Sequence, residues 1–132
     1  MTNTLSAMDF FSAKLAYEMA PEDLDLAQSE GRAPVVVDTR SAAAWSHSRV
    51  PGAVHIPARE IAVRAALELA DEDADVVIYS WGLGSVDAAR AALALIRLGY
   101  SHVRELGGGF EAWENFGFPV EGEATRDASL AG

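Results

Sequence analysis

Two segments constrain the fold of this chain more than any others: Val35-Val36-Val37 and Val76-Val77-Ile78-Tyr79. Neither alternates apolar with polar residues. Unbroken β-branched runs of this length suit strands covered on both faces, the environment of a parallel sheet. Parallel strands must be joined by crossovers, usually helices, and the intervening sequence supplies them. A short strand is expected at Val54-His55-Ile56 and a helix from about Glu60 to Ala70. A second helix, from about Asp87 to Leu98, is closed by Gly99 at its C′ position. That helix is apolar almost all round and is expected to be deeply packed. Val103 to Leu106 forms the next strand, Gly107-Gly108-Gly109 a tight turn and Phe110 to Phe116 a last helix. Upstream, Met8, Phe11 and Leu15 at helical spacing behind Ser6 as N-cap predict a short amphipathic helix. Pro21-Glu22-Asp23 opens another, running through Leu24 and Ala27 to Gly31. Strands alternating with helices give an α/β domain around a mostly parallel sheet.

Composition narrows what such a domain does. At 132 residues, half of them apolar, the chain fits one compact domain and excludes whole-chain disorder. The longest apolar-rich stretch, Ala88 to Leu98, carries Arg90 and Arg97 and is far too short to cross a bilayer. Nothing at the start reads as a secretory leader, so a cytoplasmic location is expected. A single lysine against nine arginines, with abundant alanine, points to a GC-rich bacterial source. Twenty acidic residues against ten basic ones leave a net charge of −10, which would repel nucleic acid or an anionic membrane. A small anion in a pocket is compatible with it, because backbone dipoles act locally there. There is no cysteine, which removes disulfides, thiolate metal sites and cysteine nucleophiles. His47, His55 and His102 show no metal spacing, and neither a metal nor another cofactor is expected. His55 reads as a core or rim residue, the other two as solvated.

In open α/β sheets ligands bind beyond the carboxyl ends of the strands. The stronger candidate there is Ser80-Trp81-Gly82-Leu83-Gly84-Ser85-Val86, between a strand and a helix. Two glycines let the backbone curl, and a curled loop feeding a helix N-terminus offers several N–H groups to an anion. A plain strand-to-helix turn explains the glycines equally well. A dinucleotide fingerprint would put Asp87 where its third glycine belongs; a phosphate-cradling loop lacks Gly-Lys-Ser/Thr; a serine hydrolase would need Gly-x-Ser-x-Gly. The second candidate is Asp38-Thr39-Arg40, an acid and a base at a strand end. Its expected role is structural, the pair supporting the neighbouring loop through hydrogen bonds.

Taken in order, these features resemble the rhodanese homology domain. Val35 to Arg40 resembles that family's strand ending in Asp-x-Arg, and Val50-Pro51-Gly52-Ala53-Val54-His55-Ile56-Pro57 its Ile-Pro-Gly-Ala-x-x-x-Pro segment. Gly99-Tyr100, Leu106 to Trp113 and Gly117-Phe118-Pro119-Val120 match its closing pattern, including Gly-Gly-x-x-x-Trp. The resemblance covers residues 17–121, leaving 1–16 as a helical extension and 122–132 as a flexible tail. It implies a three-layer α/β/α fold with a five-stranded sheet whose first strand lies near Tyr17–Met19. It departs from the family at Ser48-Arg49, where Gly-His is usual.

The resemblance further implies that Ser80 stands where active rhodaneses carry the cysteine that attacks a sulfane sulfur and holds it as a persulfide. The loop is most similar to a subgroup reading Cys-Trp-Gly-Pro-Gly-Cys, so Ser85 replaces a second cysteine and Leu83 a proline. A thiol of pKa about 8.5 can be ionised by loop dipoles; a serine hydroxyl cannot usefully be, and oxygen forms no stable persulfide. The chain is therefore expected to fold as a rhodanese without relaying sulfur. Two origins fit the paired serines: a natural relative kept as an anion-binding or regulatory module, or a thiosulfate or persulfide sulfurtransferase with both cysteines replaced. A pure protein-interaction module with a vestigial loop is the third reading; its partner is not legible in the sequence.

Overall fold

The computed structural model describes residues 5–123. Five strands form one sheet in the order β1-β5-β4-β2-β3, all neighbours parallel. They are β1 (Glu18–Met19), β2 (Val35–Asp38), β3 (Val54–His55), β4 (Asp75–Tyr79) and β5 (His102–Leu106). Six helices lie among the described residues: α1 (Ala7–Tyr17), α2 (Pro21–Ser29), α3 (Ala42–His47), α4 (Ile61–Glu68), α5 (Asp87–Arg97) and α6 (Gly109–Asn115), with a 3-10 turn at Ala58–Glu60 before α4. The α/β class and the five parallel strands follow the expectation.

The side-chain alternation of the strands divides the core. Val36, Val77 and Tyr79 point to one face and pack with Leu24 and Ala27 of α2 and Phe110 and Trp113 of α6, with Trp45 of α3 against them. Val37, Val76 and Ile78 point to the other and meet Ile61 and Ala65 of α4 and Ala91 and Leu95 of α5. Both faces are covered, which is why the two central strands read as unbroken apolar runs. The result is three layers.

Several local expectations change. α5 buries only Ala88, Ala91 and Leu95, while Leu93, Ile96 and Leu98 are about half exposed. It is not packed all round, because Ala88, Ala91 and Leu95 make the contact stripe while Leu93 and Ile96 fall outside it. α3 was not expected; Ser41 caps it, its Oγ accepting from the Ala44 N–H at 3.2 Å. Ser6 caps α1 as expected (3.0 Å from Asp9 N), yet no residue of that helix is buried, so its apolar stripe has no seat in the core. Of the proposed tail, 124–132 lies outside the described residues. Glu121 pairs with the Arg49 backbone through two hydrogen bonds of 2.9 and 3.0 Å, so the chain is held past Val120.

Candidate functional site

From β2 the chain steps outward to β3; from β4 it steps to β5 on the opposite side. The connections diverge at the carboxyl ends of β2 and β4, opening a crevice where a doubly wound sheet binds ligands. Residues 80–86 leave β4 at that point. Ser80 is 4% exposed, and its Oγ lies 2.9 Å from the Ser85 Oγ across the loop. The two serines singled out by the sequence therefore face each other.

Helix α6 fixes the loop's entry. The Phe110 N–H donates to the Ser80 carbonyl (2.9 Å) and the Glu111 N–H to the Trp81 carbonyl (2.7 Å). A trans peptide holds a carbonyl and the following N–H antiparallel, and no peptide among the described residues is cis. The Trp81 and Gly82 N–H groups thus point away from α6. Within the loop only the Ser85 N–H has a partner, the Gly82 carbonyl at 3.1 Å; among the described residues those of Trp81, Gly82, Leu83, Gly84 and Val86 donate to no other protein atom. The close approach of the two segments requires glycine on each side. A Cβ on Gly109 would stand 2.8 Å from Ser80 O and Gly82 N, and one on Gly82 2.9 Å from Gly108 O.

Asp38 and Arg40 form a buried pair beside the loop. The Arg40 Nη2 donates to Asp38 Oδ2 (2.8 Å) and to the Ser48 carbonyl (2.6 Å), while the Arg40 N–H donates to Asp38 Oδ1 (2.8 Å). Tyr79 Oη donates to Asp38 Oδ2 (2.6 Å) and accepts from the Val50 N–H (3.2 Å). Burial, then the adjoining Asp38 charge, pushes the Tyr79 phenol well above its ordinary range. The Arg40 guanidinium also lies 4.6 Å from the Trp81 ring and 4.1 Å from that of Phe110, its contact with the loop. His55 packs against Trp45, its Nε2 2.7 Å from the Arg40 carbonyl, whereas His47 and His102 are exposed.

A cleft of about 220 Å³ opens on Ser80, Gly82, Leu83, Gly84 and Ser85. Its opposite wall carries Lys14 from α1, Glu18 from β1 and Glu105 from β5, none of which sequence reasoning placed there. Glu18 and Glu105 are register partners in the parallel β1–β5 pair, which sets the carboxylates side by side. Lys14 Nζ donates to Glu18 Oε1 at 2.7 Å, and that bond raises the lysine pKa. Burial and the neighbouring Glu18 charge raise the Glu105 pKa, with Lys14 opposing them. The Lys14–Glu18 spacing of four was legible as a helix-surface pair; its position at the cleft depends on strand pairing, which was not. Asp87, at the start of α5, lines a neighbouring depression with Thr39, Arg40 and Arg59.

A strand-loop-helix cradle at the sheet's switch point, closed by a glycine-rich turn from β5, agrees with the sequence comparison. The chain matches the rhodanese-like domain family over residues 20–116. It belongs to that family. Among curated relatives, the rhodanese-like chain is 30% identical over 105 residues to the thiosulfate sulfurtransferase GlpE of Actinobacillus succinogenes, covering 79% of this chain and 89% of that one. It is 34% identical over 103 residues to GlpE of Pseudomonas fluorescens, covering 76% and 86%. The crystal structure of the BH2092 protein from Bacillus halodurans superposes with a TM-score of 0.80 at 31% identity, over 89% of this chain and 85% of that one. The rhodanese-like domain of Alr3790 from Anabaena superposes with a TM-score of 0.73 at 26% identity, over 82% and 80%. No described helix of this rhodanese-like protein is long and apolar enough to cross a membrane.

Proposed function

We propose that this member of the rhodanese-like sulfurtransferase family binds a small anion at residues 80–86 without relaying sulfur. The observation that carries the reading is the buried Ser80 hydroxyl at the base of the cradle, 2.9 Å from a second hydroxyl on Ser85. Accepting a sulfane sulfur needs a nucleophile ionised near neutral pH and able to form a sulfur–sulfur bond; a hydroxyl meets neither requirement. Binding requires only the donors that remain, namely the loop N–H groups and the first turn of α5. Asp38 and Arg40 support the loop by holding Trp81 from below. Because Glu18 and Glu105 share the cleft, inorganic dianions bind weakly.

The test measures sulfur transfer from thiosulfate to cyanide for this chain and for Ser80→Cys. The chain as it stands is expected to show no turnover, and Ser80→Cys is expected to show measurable turnover, since the cradle would be intact. Turnover by the unaltered chain would overturn the chemical argument. Inactivity of a correctly folded Ser80→Cys would favour a pure interaction module instead.

A further inference from the structure

The Ser80 cleft does not end at Lys14. A second cavity, of about 660 Å³, lies beneath α1 and shares Lys14, Glu18, Leu83 and Gly108 with the first. It is formed chiefly by Phe11 and Leu15 of α1, Met19, Ala112 of α6, Phe116 just after it, and Leu83 at the loop tip. Leu83 is 94% exposed and Leu15 83% exposed, and Phe11 and Phe116 are also exposed, so much of the groove's apolar lining faces water. The groove's size is that of sites that hold small organic molecules.

We infer that the ligand of this site is a monoanion with an uncharged apolar tail, such as an alkyl sulfonate, its head in the loop and its tail under α1. The inference rests on the anion-binding reading of the loop and adds the ligand's class. Two charge arguments select it. Where head meets tail, one cation, Lys14, stands against two carboxylates, Glu18 and Glu105, which disfavours a dianion more than a monoanion. At the far end Glu22 and Asp23 line the groove, so a second anionic group on the tail would be repelled. An aliphatic tail meets neither penalty and covers Leu15, Leu83 and Phe116, whose exposure to water is unfavourable.

The experiment measures the affinity of the full chain for methanesulfonate and for hexane-1-sulfonate by titration calorimetry, below micelle-forming concentrations. Hexanesulfonate is expected to bind at least about tenfold more tightly, since several methylenes leave water. Leu15→Ser combined with Phe116→Ser, both at exposed positions, is expected to cut that ratio to about threefold or less and leave methanesulfonate affinity unchanged. Equal affinity for the two sulfonates would overturn the groove while sparing the loop as an anion site. A chain-length gain that survives the double substitution would also overturn it. Failure of both sulfonates to bind would remove the loop reading and the inference with it.

Discussion

Arg40 is the residue on which the most converges: its guanidinium binds Asp38 and the Ser48 carbonyl and lies against three aromatic rings, those of Tyr79, Trp81 and Phe110. Removing one member of a fully buried ion pair strands the other, at a cost of about 3–5 kcal/mol. Arg40→Ala should therefore lose about that much unfolding free energy in a urea titration. Glu105 gives a subtler prediction. Its pKa is raised above the ordinary 4.5, so between that value and its folded pKa the native state holds more protons than the unfolded chain. Its contribution to stability is present below that window and is lost as pH rises through it. Glu105→Gln should flatten the decline in stability from pH 4.5 towards neutrality. In calorimetry it should also tighten sulfate binding at pH 7, since one carboxylate leaves the cleft.

Helix α6 and the turn before it hold the loop, and Gly109 is where they touch it. Its φ is +61°, and an added Cβ would meet three backbone atoms at 2.8 Å. Gly109→Ala should cost at least about 2 kcal/mol, combining left-handed strain with backbone overlap. Helix α1 is the opposite case. With no buried residue, its amides should exchange with deuterium well before those of β4, as amide-resolved exchange would report. The sequence made β2, β4 and the loop legible because strands buried on both faces carry a composition that nothing else needs. It left α3 and the Lys14-Glu18-Glu105 wall unread for different reasons. Six residues contain too little periodicity to announce a helix, and the wall exists only once β1 pairs with β5. The apolar look of α5 misled because composition does not say which alanines make contact.

For the molecule as a whole, both core layers share the central strands β2 and β4, so neither can melt while the other stands. Tryptophan fluorescence and far-ultraviolet dichroism should trace one coincident unfolding transition. The net charge of −10 adds a repulsion that the folded state concentrates. Raising sodium chloride from low to moderate concentration should lift Tm by about 2–5 °C. The hydroxyl pair at Ser80 and Ser85 also shapes how the protein meets its surroundings. Oxygen atoms in these positions cannot couple under peroxide or climb through sulfenic and sulfinic acids, and no thiol exists elsewhere in the chain. The hydroxyl pair keeps one chemical form in reducing and oxidising conditions alike, and the cradle's occupancy follows ligand concentration rather than redox poise.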